Sequence, residues 1–268
     1  LFMGDNGENG ASVEAIFPIL QDGLKTTSYG TTLYLMAGSN DNSEHIKSAA
    51  IAGNSTTGGW AGNRMRPDLV LKFFPNNDAP NVAAYAMPAA ADDDRALFDG
   101  EGRNVSNGDD EKGVKVFTNG FSVCKFNNFK TDGSAGHNSL FPDADFFLMR
   151  AAEAYLMYAE ADARQNNGTT TAQGTAYINA LRTRANATTQ TAYSLRQICD
   201  EWSREFYFEG LRRTTLIRFG YFGGNVNYNW SWKGGVKSGR NFDSHLNLFP
   251  IPTSDMVANS NLIQNTGY

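Results

Sequence analysis

A run of helical periodicity between residues 146 and 165 constrains the fold of this chain more than any other feature. It begins Phe146-Phe-Leu-Met-Arg-Ala-Ala-Glu-Ala-Tyr-Leu-Met-Tyr-Ala-Glu-Ala161. Apolar residues at helical spacing share one face: Leu148, Ala152, Tyr155 and Ala159. Charged residues gather on another: Arg150, Glu153, Glu160 and Arg164. The pattern predicts a long helix that Gly168 ends, because glycine commonly closes a helix.

Three more helices are expected after this one. The second covers about residues 171–187, with a stripe of small residues (Ala176, Ala180, Leu181) that lets another helix approach closely. The third begins at Ser194, because Gln197 three residues later completes a capping box, and it continues towards Gly210. The fourth covers residues 211–219 and stops at Gly220.

The remaining segments are loop-rich with short extended runs. Residues 15–20 and 31–36 are predicted strands, and residues 69–74 are a strand or a short helix. Asn119-Gly120 between residues 114–117 and 121–126 predicts a hairpin, because Asn-Gly tolerates the positive φ of a tight turn. Residues 221–247 are irregular. Two prolines make residues 248–252 extended, and Thr253 or Ser254 caps a final turn.

Composition excludes several classes of protein. The chain has 268 residues, 41% of them hydrophobic, which is too many for a disordered protein. A balance of 23 Lys and Arg against 28 Asp and Glu, or a net charge of -5, disfavours binding to nucleic acid or an anionic bilayer. The two cysteines, Cys124 and Cys199, lack metal or redox spacing and are predicted to be buried thiols.

The sequence contains little that supports a catalytic site. The three histidines are scattered, and no H-E-x-x-H or G-x-S-x-G occurs. A dense set of charges on the helices can be interpreted as a catalytic carboxylate pair or as structural ion pairs, and the structural interpretation is favoured. The set contains Glu153, Glu160, Arg182, Arg184, Arg204, Glu205, Glu209, Arg212 and Arg213. Glu209 has the spacing for helical pairing with Arg212 and Arg213, provided that Gly210 does not break the helix.

One segment of the sequence partly matches a calcium-binding loop. Residues 5–10, Asp-Asn-Gly-Glu-Asn-Gly, resemble the start of an EF-hand, but Ile16 stands at the twelfth position, where a bidentate Glu is required. A turn is therefore expected, and an irregular calcium site built from loop oxygens stays an alternative. No metal or cofactor is predicted.

Four segments and their order resemble the carboxyl-terminal half of the SusD/RagB family. They are residues 146–161, Ile178-Asn-Ala-Leu-Arg-Thr-Arg184, Arg204-Glu-Phe-Tyr-Phe-Glu-Gly-Leu-Arg-Arg213 and Leu248-Phe-Pro-Ile-Pro252, followed by the end Asn261-Leu-Ile-Gln-Asn-Thr-Gly-Tyr268. The resemblance covers the chain from about Glu14. It implies a mainly α, SusD-like fold, in which the last helices of a tetratricopeptide-like scaffold accompany a loop-rich region with short strands.

The resemblance divides the chain into a loop-rich ligand-facing part (1–140), a helical part (141–220) and an irregular end (221–268), and it implies that the amino-terminal half lies outside this chain. It further implies a surface lipoprotein of the outer membrane, anchored by lipid upstream of Leu1. Such a protein captures oligosaccharides without catalysis and passes them to a SusC-like TonB-dependent transporter. A carbohydrate hydrolase and a peptide-capturing RagB-like protein stay as alternatives.

Sugar binding requires flat aromatic faces beside planar hydrogen-bonding groups. Gly58-Gly-Trp-Ala-Gly-Asn-Arg64 carries both, so Trp60 is the predicted platform with Asn63 and Arg64 as polar partners. SusD-like proteins tend to place an aromatic ligand contact here, although a tryptophan folded onto the core is the alternative. Weaker aromatic candidates are Tyr34, Tyr85 and Phe98. Trp202 is predicted to be core, as is at least one of Trp230 and Trp232, which alternate in direction if extended.

Overall fold

The computed structural model describes residues 1–27, 32–39, 62–103, 119–224 and 228–268. The described chain is mainly helical and forms two compact units, Leu1–Glu209 and Gly210–Tyr268. The described helices are α1 (Thr32–Ala37), α2 (Pro67–Phe73), α3 (Met87–Ala91), α4 (Ala151–Gln165), α5 (Ala172–Arg184), α6 (Leu195–Phe206), α7 (Arg212–Arg218) and α8 (Thr253–Ala258). The described strands are β1 (Ala15–Ile19), β2 (Arg64–Met65), β3 (Phe98–Asp99), β4 (Phe121–Val123) and β5 (Phe146–Arg150). Of these helices, none has the length and apolar content needed to span a lipid bilayer.

The first predicted helix starts five residues later than its periodicity indicated. Phe146–Arg150 is strand β5, which pairs antiparallel with β1 in a two-stranded sheet, with Ala15 opposite Arg150 and Ile19 opposite Phe146. Pairing with β1 satisfies the backbone of this bulky apolar run, and a short apolar run does not by its periodicity distinguish strand from helix. Leu148 is therefore exposed and Arg150 is buried, the reverse of the prediction.

Helix α4 packs against both α5 and α6. Its buried face carries Ala152, Leu156, Ala159 and Ala163. On α5 the buried residues are Gly174, Thr175, Ile178 and Leu181, whereas Ala176 and Ala180 of the predicted stripe are exposed. A Cβ on Gly174 would overlap the Asp162 carboxylate, so glycine permits the close approach that alanine was expected to provide.

Helix α6 starts as predicted. The Gln197 backbone N–H donates to the Ser194 hydroxyl over 3.3 Å, and the Ser194 N–H donates to Gln197 Oε1 over 2.8 Å, which completes the capping box. The helix ends at Phe206 rather than near Gly210. Phe208 has a φ of 63°, in the left-handed region, and it cannot continue the helix.

The three-stranded sheet β2–β4–β3 carries the main hydrophobic core of the first unit. Phe98 and Phe121 stack at 5.8 Å between ring centroids, and the Phe73 ring meets Phe98 edge-on at 5.4 Å. Phe98 is thus a core residue and not the surface aromatic that was considered. Gly120 has the positive φ expected of its Asn-Gly turn, although residues 114–117 of the predicted hairpin lie outside the described residues.

The predicted strand at residues 31–36 is wrong: it is helix α1. Leu33, Met36 and Ala37 are buried at helical spacing, and Met36 packs on Phe126 in a small satellite core. The segment 69–74, which the sequence left open between strand and helix, is helical up to Phe73 in α2, and Phe74 is the C-cap. Pro67 lies in the first turn, where its missing N–H costs nothing.

The second unit is irregular, as predicted, apart from α7, α8 and short 3₁₀ turns. The N-cap of α8 is Pro252 rather than Thr253 or Ser254. Trp230 is partly buried and packs near the rings of Phe222 and Phe242, with the buried Lys233 ammonium 4.6 Å from its ring centroid. In the first unit, Trp202 is core, and both cysteines are buried free thiols, as the sequence predicts.

We expect Ala159→Leu to lower the free energy of unfolding by about 1–3 kcal/mol, because Ala159 is fully buried between helices and added methylenes overpack such a site. Urea denaturation followed by circular dichroism measures this cost. The matched control is Ala161→Leu on the exposed side of the same helix, which should change stability little. Equal stabilities for the two variants would contradict the packing.

Candidate functional site

Three of the predicted site residues lie at one edge of the first unit. Trp60 lies outside the described residues, but Asn63 follows in the chain and Arg64 begins β2. The Gly38 N–H donates to the Tyr34 carbonyl over 3.0 Å, and the Asn63 N–H donates to the Gly38 carbonyl over 2.6 Å. The end of α1 is thereby tied to the start of β2, which brings the backbone of Tyr34 close to Asn63.

Gly38 allows the end of α1 and the residues before β2 to approach each other closely. A Cβ at position 38 would lie 2.5 Å from the Tyr34 carbonyl oxygen and 2.7 Å from Asn63 Nδ2, too close for a real side chain. The Tyr34 side chain remains 54% exposed, because α1 turns Leu33, Met36 and Ala37 inward. The arrangement therefore ties a helix that carries an accessible ring to the segment that carries the Asn63 amide. Gly38 was not among the predicted residues, and a lone glycine after a helix carries no sign of such a role.

Arg64 is held by the sheet. It pairs with Ser122 of β4, and its Nη1 donates to the Asn119 carbonyl over 3.0 Å. Partial burial lowers the pKa of Arg64, and the positive charges of Arg103 and Arg66 lower it further. A guanidinium in this position can donate several hydrogen bonds in one plane, the geometry that suits neighbouring hydroxyls or a carboxylate.

Tyr85 lies at the other edge of the same sheet. It precedes α3 and is 56% exposed, and the preceding Ala84 N–H donates to Asp99 of β3 over 3.1 Å. Because β4 separates β3 from β2, the fold places Tyr85 and Arg64 on opposite edges. The structure thus joins the segment that carries Tyr34 to the one that carries Asn63 and Arg64, and Tyr85 lies at the other edge of the sheet.

The charged set forms a buried ion-pair network. Glu205 accepts from Arg150 Nη1 over 2.6 Å, from Arg95 over 3.1 Å and from Arg184. Glu209 accepts from Arg150 Nε over 2.8 Å and from Lys125 over 2.5 Å. Glu209 lies in no helix, because α6 ends at Phe206 and α7 begins at Arg212, so the helical spacing behind its expected pairs does not exist.

Two members of the predicted set have their partners in the second unit. Arg213 Nη2 donates to the Leu246 carbonyl over 2.7 Å, and its guanidinium lies 3.8 Å from the centroid of the Phe249 ring. Arg212 donates to the Tyr228 hydroxyl over 2.5 Å. Sequence reasoning missed Arg95, Lys125 and Glu201 and placed Arg150 on a helix. Arg95 and Lys125 lie outside the helices and strands, Arg150 ends β5, and Glu201 lies on α6.

The lowered pKa values of the glutamates in this network argue against catalysis. Burial opposes ionisation of Glu201, but Arg204, Arg95 and Arg182 outweigh it and lower its pKa to about 2. The pKa of Glu205 is likewise lowered, against its burial, by Arg150, Arg184 and Arg95. A general acid for glycoside hydrolysis needs a raised carboxyl pKa. These carboxylates therefore act as structural anions.

We expect a pH-dependent part of the stability to come from Glu201. Its pKa falls from 4.5 to about 2 on folding, so the stabilisation is complete above pH 4.5 and is lost as the pH drops towards 2. A shift of this size corresponds to about 3 kcal/mol. Urea denaturation of wild type and Glu201→Gln at several pH values measures it, and the variant should lose stability less steeply below pH 4.5. Parallel curves would contradict the assignment.

An acidic cleft of about 320 Å³ lies near the amino terminus, lined by Asp5, Glu8, Asp143 and Asp145 among others. Asp5 accepts from the Thr131 N–H over 3.0 Å and from Asn9 over 3.0 Å, so residues 5–10 form the expected turn. Within the ranges that the structure describes, no group of three or more His, Cys, Asp or Glu side chains is arranged to hold a metal ion.

Comparison with known proteins connects this fold to a family. The model described as the SusD family matches residues 13–268. Starch-binding protein SusD of Bacteroides thetaiotaomicron is 39% identical over 300 aligned positions, which cover 100% of this chain and 52% of that protein.

Solved structures agree with this match. A SusD-like protein from Bacteroides fragilis has a TM-score of 0.62 at 18% identity, covering 100% of this chain and 56% of that one. Surface glycan-binding protein A from Bacteroides thetaiotaomicron, solved with laminarihexaose, has a TM-score of 0.59 at 20% identity, covering 98% and 54%. The chain spans about half the length of the relatives that it matches. It belongs to the SusD family.

Proposed function

We propose that this chain supplies a glycan-binding surface to a non-catalytic binding protein, and that Tyr34, Asn63 and Arg64 lie on that surface together with Trp60. The observation that carries the proposal is the contact at Gly38, which ties the end of the helix that bears the exposed Tyr34 to the segment that bears Asn63 and Arg64. An exposed ring covers the apolar face of a sugar, while planar polar groups exchange hydrogen bonds with its hydroxyls.

An α-glucan is the first ligand to test. The relative that is 39% identical is named for binding starch, whereas the structure solved with laminarihexaose is only 20% identical. The depressed pKa of the buried glutamates supports binding without hydrolysis, because none of them is poised to donate a proton.

Membership of the SusD family supports the wider setting of the proposal. The whole protein is then a lipid-anchored protein on the surface of the outer membrane, and it delivers oligosaccharides to a TonB-dependent transporter. The net charge of -5 fits this role, since a neutral glycan needs no electrostatic attraction.

Affinity electrophoresis in gels containing soluble starch tests the binding. We expect starch to retard the wild type and to retard Tyr34→Ala much less. Tyr85→Ala is the matched control, because the two tyrosines are equally exposed but Tyr85 lies at the opposite edge of the sheet. Equal loss in both variants, or none in either, would contradict the placement of the surface.

Two further assays address the alternatives. Release of reducing sugar from starch, abolished by an Asp or Glu substitution, would replace the binding protein with a hydrolase. Retention on a peptide array without retention on any glycan would replace it with a peptide-capturing protein.

A further inference from the structure

A cleft of about 480 Å³ lies between helices α2, α3, α5 and α6 of the first unit. The end of α2 and helix α6 form one wall, and the end of α3 with the segment that joins α5 to α6 forms the other. Sites for small molecules occupy about 300–1,000 Å³, so the cleft has the size of such a site. Tyr34, Asn63 and Arg64 do not line it. The cleft is therefore separate from the proposed glycan surface.

Contacts within the chain hold both walls of the cleft in place. Lys72 of α2 pairs with Asp200 of α6 over 2.7 Å, and Arg204 Nη1 donates to the Lys72 carbonyl over 2.9 Å. On the other wall, the Thr188 hydroxyl donates to Asp92, the C-cap of α3, over 3.2 Å. Walls that the chain itself orders spare a ligand the free-energy cost of ordering them.

The charged groups that line the cleft balance one another. Three are cations and three are carboxylates: Lys72, Arg182, Arg204, Asp92, Asp93 and Asp200. Each of the cations has a carboxylate partner, because Lys72 pairs with Asp200 and both arginines pair with the buried Glu201. A charged ligand would compete with these ion pairs, whereas a neutral ligand leaves them intact.

Three residues of the lining keep hydrogen-bonding groups that no contact in the described part of the chain uses. Arg182 donates through Nε and Nη1 to neighbouring residues, so its Nη2 remains a donor. The side-chain oxygen of Gln190 accepts from Gln197 Nε2 over 3.0 Å, which leaves the Gln190 amide nitrogen as a second donor. Asp92 accepts from Thr188 on Oδ2, so its Oδ1 remains an acceptor.

We propose that this cleft is a second carbohydrate-binding site, which takes a neutral saccharide unit through Asp92, Arg182 and Gln190. A sugar carries adjacent hydroxyl groups that both donate and accept, and the cleft offers two donors and one acceptor to them. Leu71 and Pro75 are exposed and line the cleft, so they offer apolar surface to the carbon face of the ring. The inference rests on the proposed function for the class of ligand and adds a second place of contact.

Nuclear magnetic resonance titration of this chain with maltotriose tests the inference, because each backbone amide reports on its own surroundings. We expect maltotriose to shift the amide signals of Thr188 and Gln190 at the cleft and those of Gly38 and Asn63 at the proposed glycan surface. Gln190→Ala removes one uncharged hydrogen-bond donor, so it should weaken binding at the Thr188 amide by about three- to tenfold. The titration at Gly38 should not change.

Gln173→Ala is the matched control, because Gln173 is an exposed glutamine of α5 that does not line the cleft. It should leave both titrations unchanged. Tyr34→Ala should weaken the titration at Gly38 and leave the one at Thr188 as it is. A further variant, Leu71→Trp, places a large side chain in the cleft and should abolish the shift at Thr188.

The outcomes separate this inference from the proposed function. Shifts at Gly38 without shifts at Thr188 would overturn the inference and leave the proposed function standing. Shifts at Thr188 alone would support the cleft and displace the proposed glycan surface, and no shift at either place would overturn both. The inference also fails if the amino acid glycine shifts the Thr188 amide as strongly as maltotriose does, or if Gln173→Ala weakens binding as much as Gln190→Ala.

Discussion

Arg150→Ala is expected to lower the free energy of unfolding by about 3–5 kcal/mol. Arg150 is 1% exposed and donates to Glu205 and Glu209, as well as to Glu14. Removing the guanidinium leaves buried carboxylates with fewer cations, and an incompletely compensated buried charge costs far more than a lost surface contact. Glu205 and Glu209 retain Arg95, Arg184 and Lys125, which prevents a larger loss.

Urea denaturation measures this effect, and Arg196→Ala is its matched control. Arg196 also pairs with a carboxylate, that of Asp200, but over 3.9 Å and with 52% of its own side chain exposed. Exposed pairs contribute about 0–1 kcal/mol, so the control should lose little. If the two variants lost the same stability, the network around Arg150 would not be the buried anchor that its geometry indicates.

Trp60→Ala is expected to weaken glycan binding by about ten- to hundredfold, which corresponds to about 1–3 kcal/mol. Trp60 comes two residues before Gly62 in a glycine-rich stretch of the sequence, and Asn63 and Arg64 follow. Loss of an aromatic platform removes the apolar contact with the sugar ring and leaves the hydrogen-bonding groups in place.

Isothermal titration with maltooligosaccharides measures the loss, and the melting temperature separates binding from folding. Trp202→Ala is the contrasting variant, because Trp202 is buried in α6 and its removal should unfold the protein. If Trp60→Ala also unfolds, the indole belongs to the core. If it folds and binds normally, the glycan lies elsewhere, and Tyr34 is the next residue to examine.

The sequence predicted an element correctly where hydrogen bonds between neighbouring residues determine it. The Ser194–Gln197 capping box placed the start of α6, since both of its hydrogen bonds are local. The strand at residues 146–150 could not be predicted in this way. Its conformation depends on pairing with β1, in which Ala15 lies opposite Arg150 although the two are 135 residues apart, and nothing in the local sequence records that partner.

At the candidate site, too, the residue types could be predicted from the sequence, but their tertiary contacts could not. Asn63 and Arg64 could be proposed from their own loop composition, and Tyr34 from its side chain. Their approach to one another depends on Gly38, whose importance appears only when α1 and β2 are side by side. The charged network was predicted to be structural, but its centre, Arg150, was placed on a solvated helix face because the strand was read as helix.

Glu201, Glu205 and Arg150 share ion-pair partners. This sharing restricts which amino-acid substitutions the protein can accept during evolution. Any single replacement by a neutral residue leaves buried charges of the opposite sign less well compensated, so each such step lowers stability. A simultaneous exchange of several members for well-packed apolar side chains need carry no such loss. The network is therefore expected to persist as an inherited constraint, retained less for what it adds to the fold than because no single substitution leads away from it.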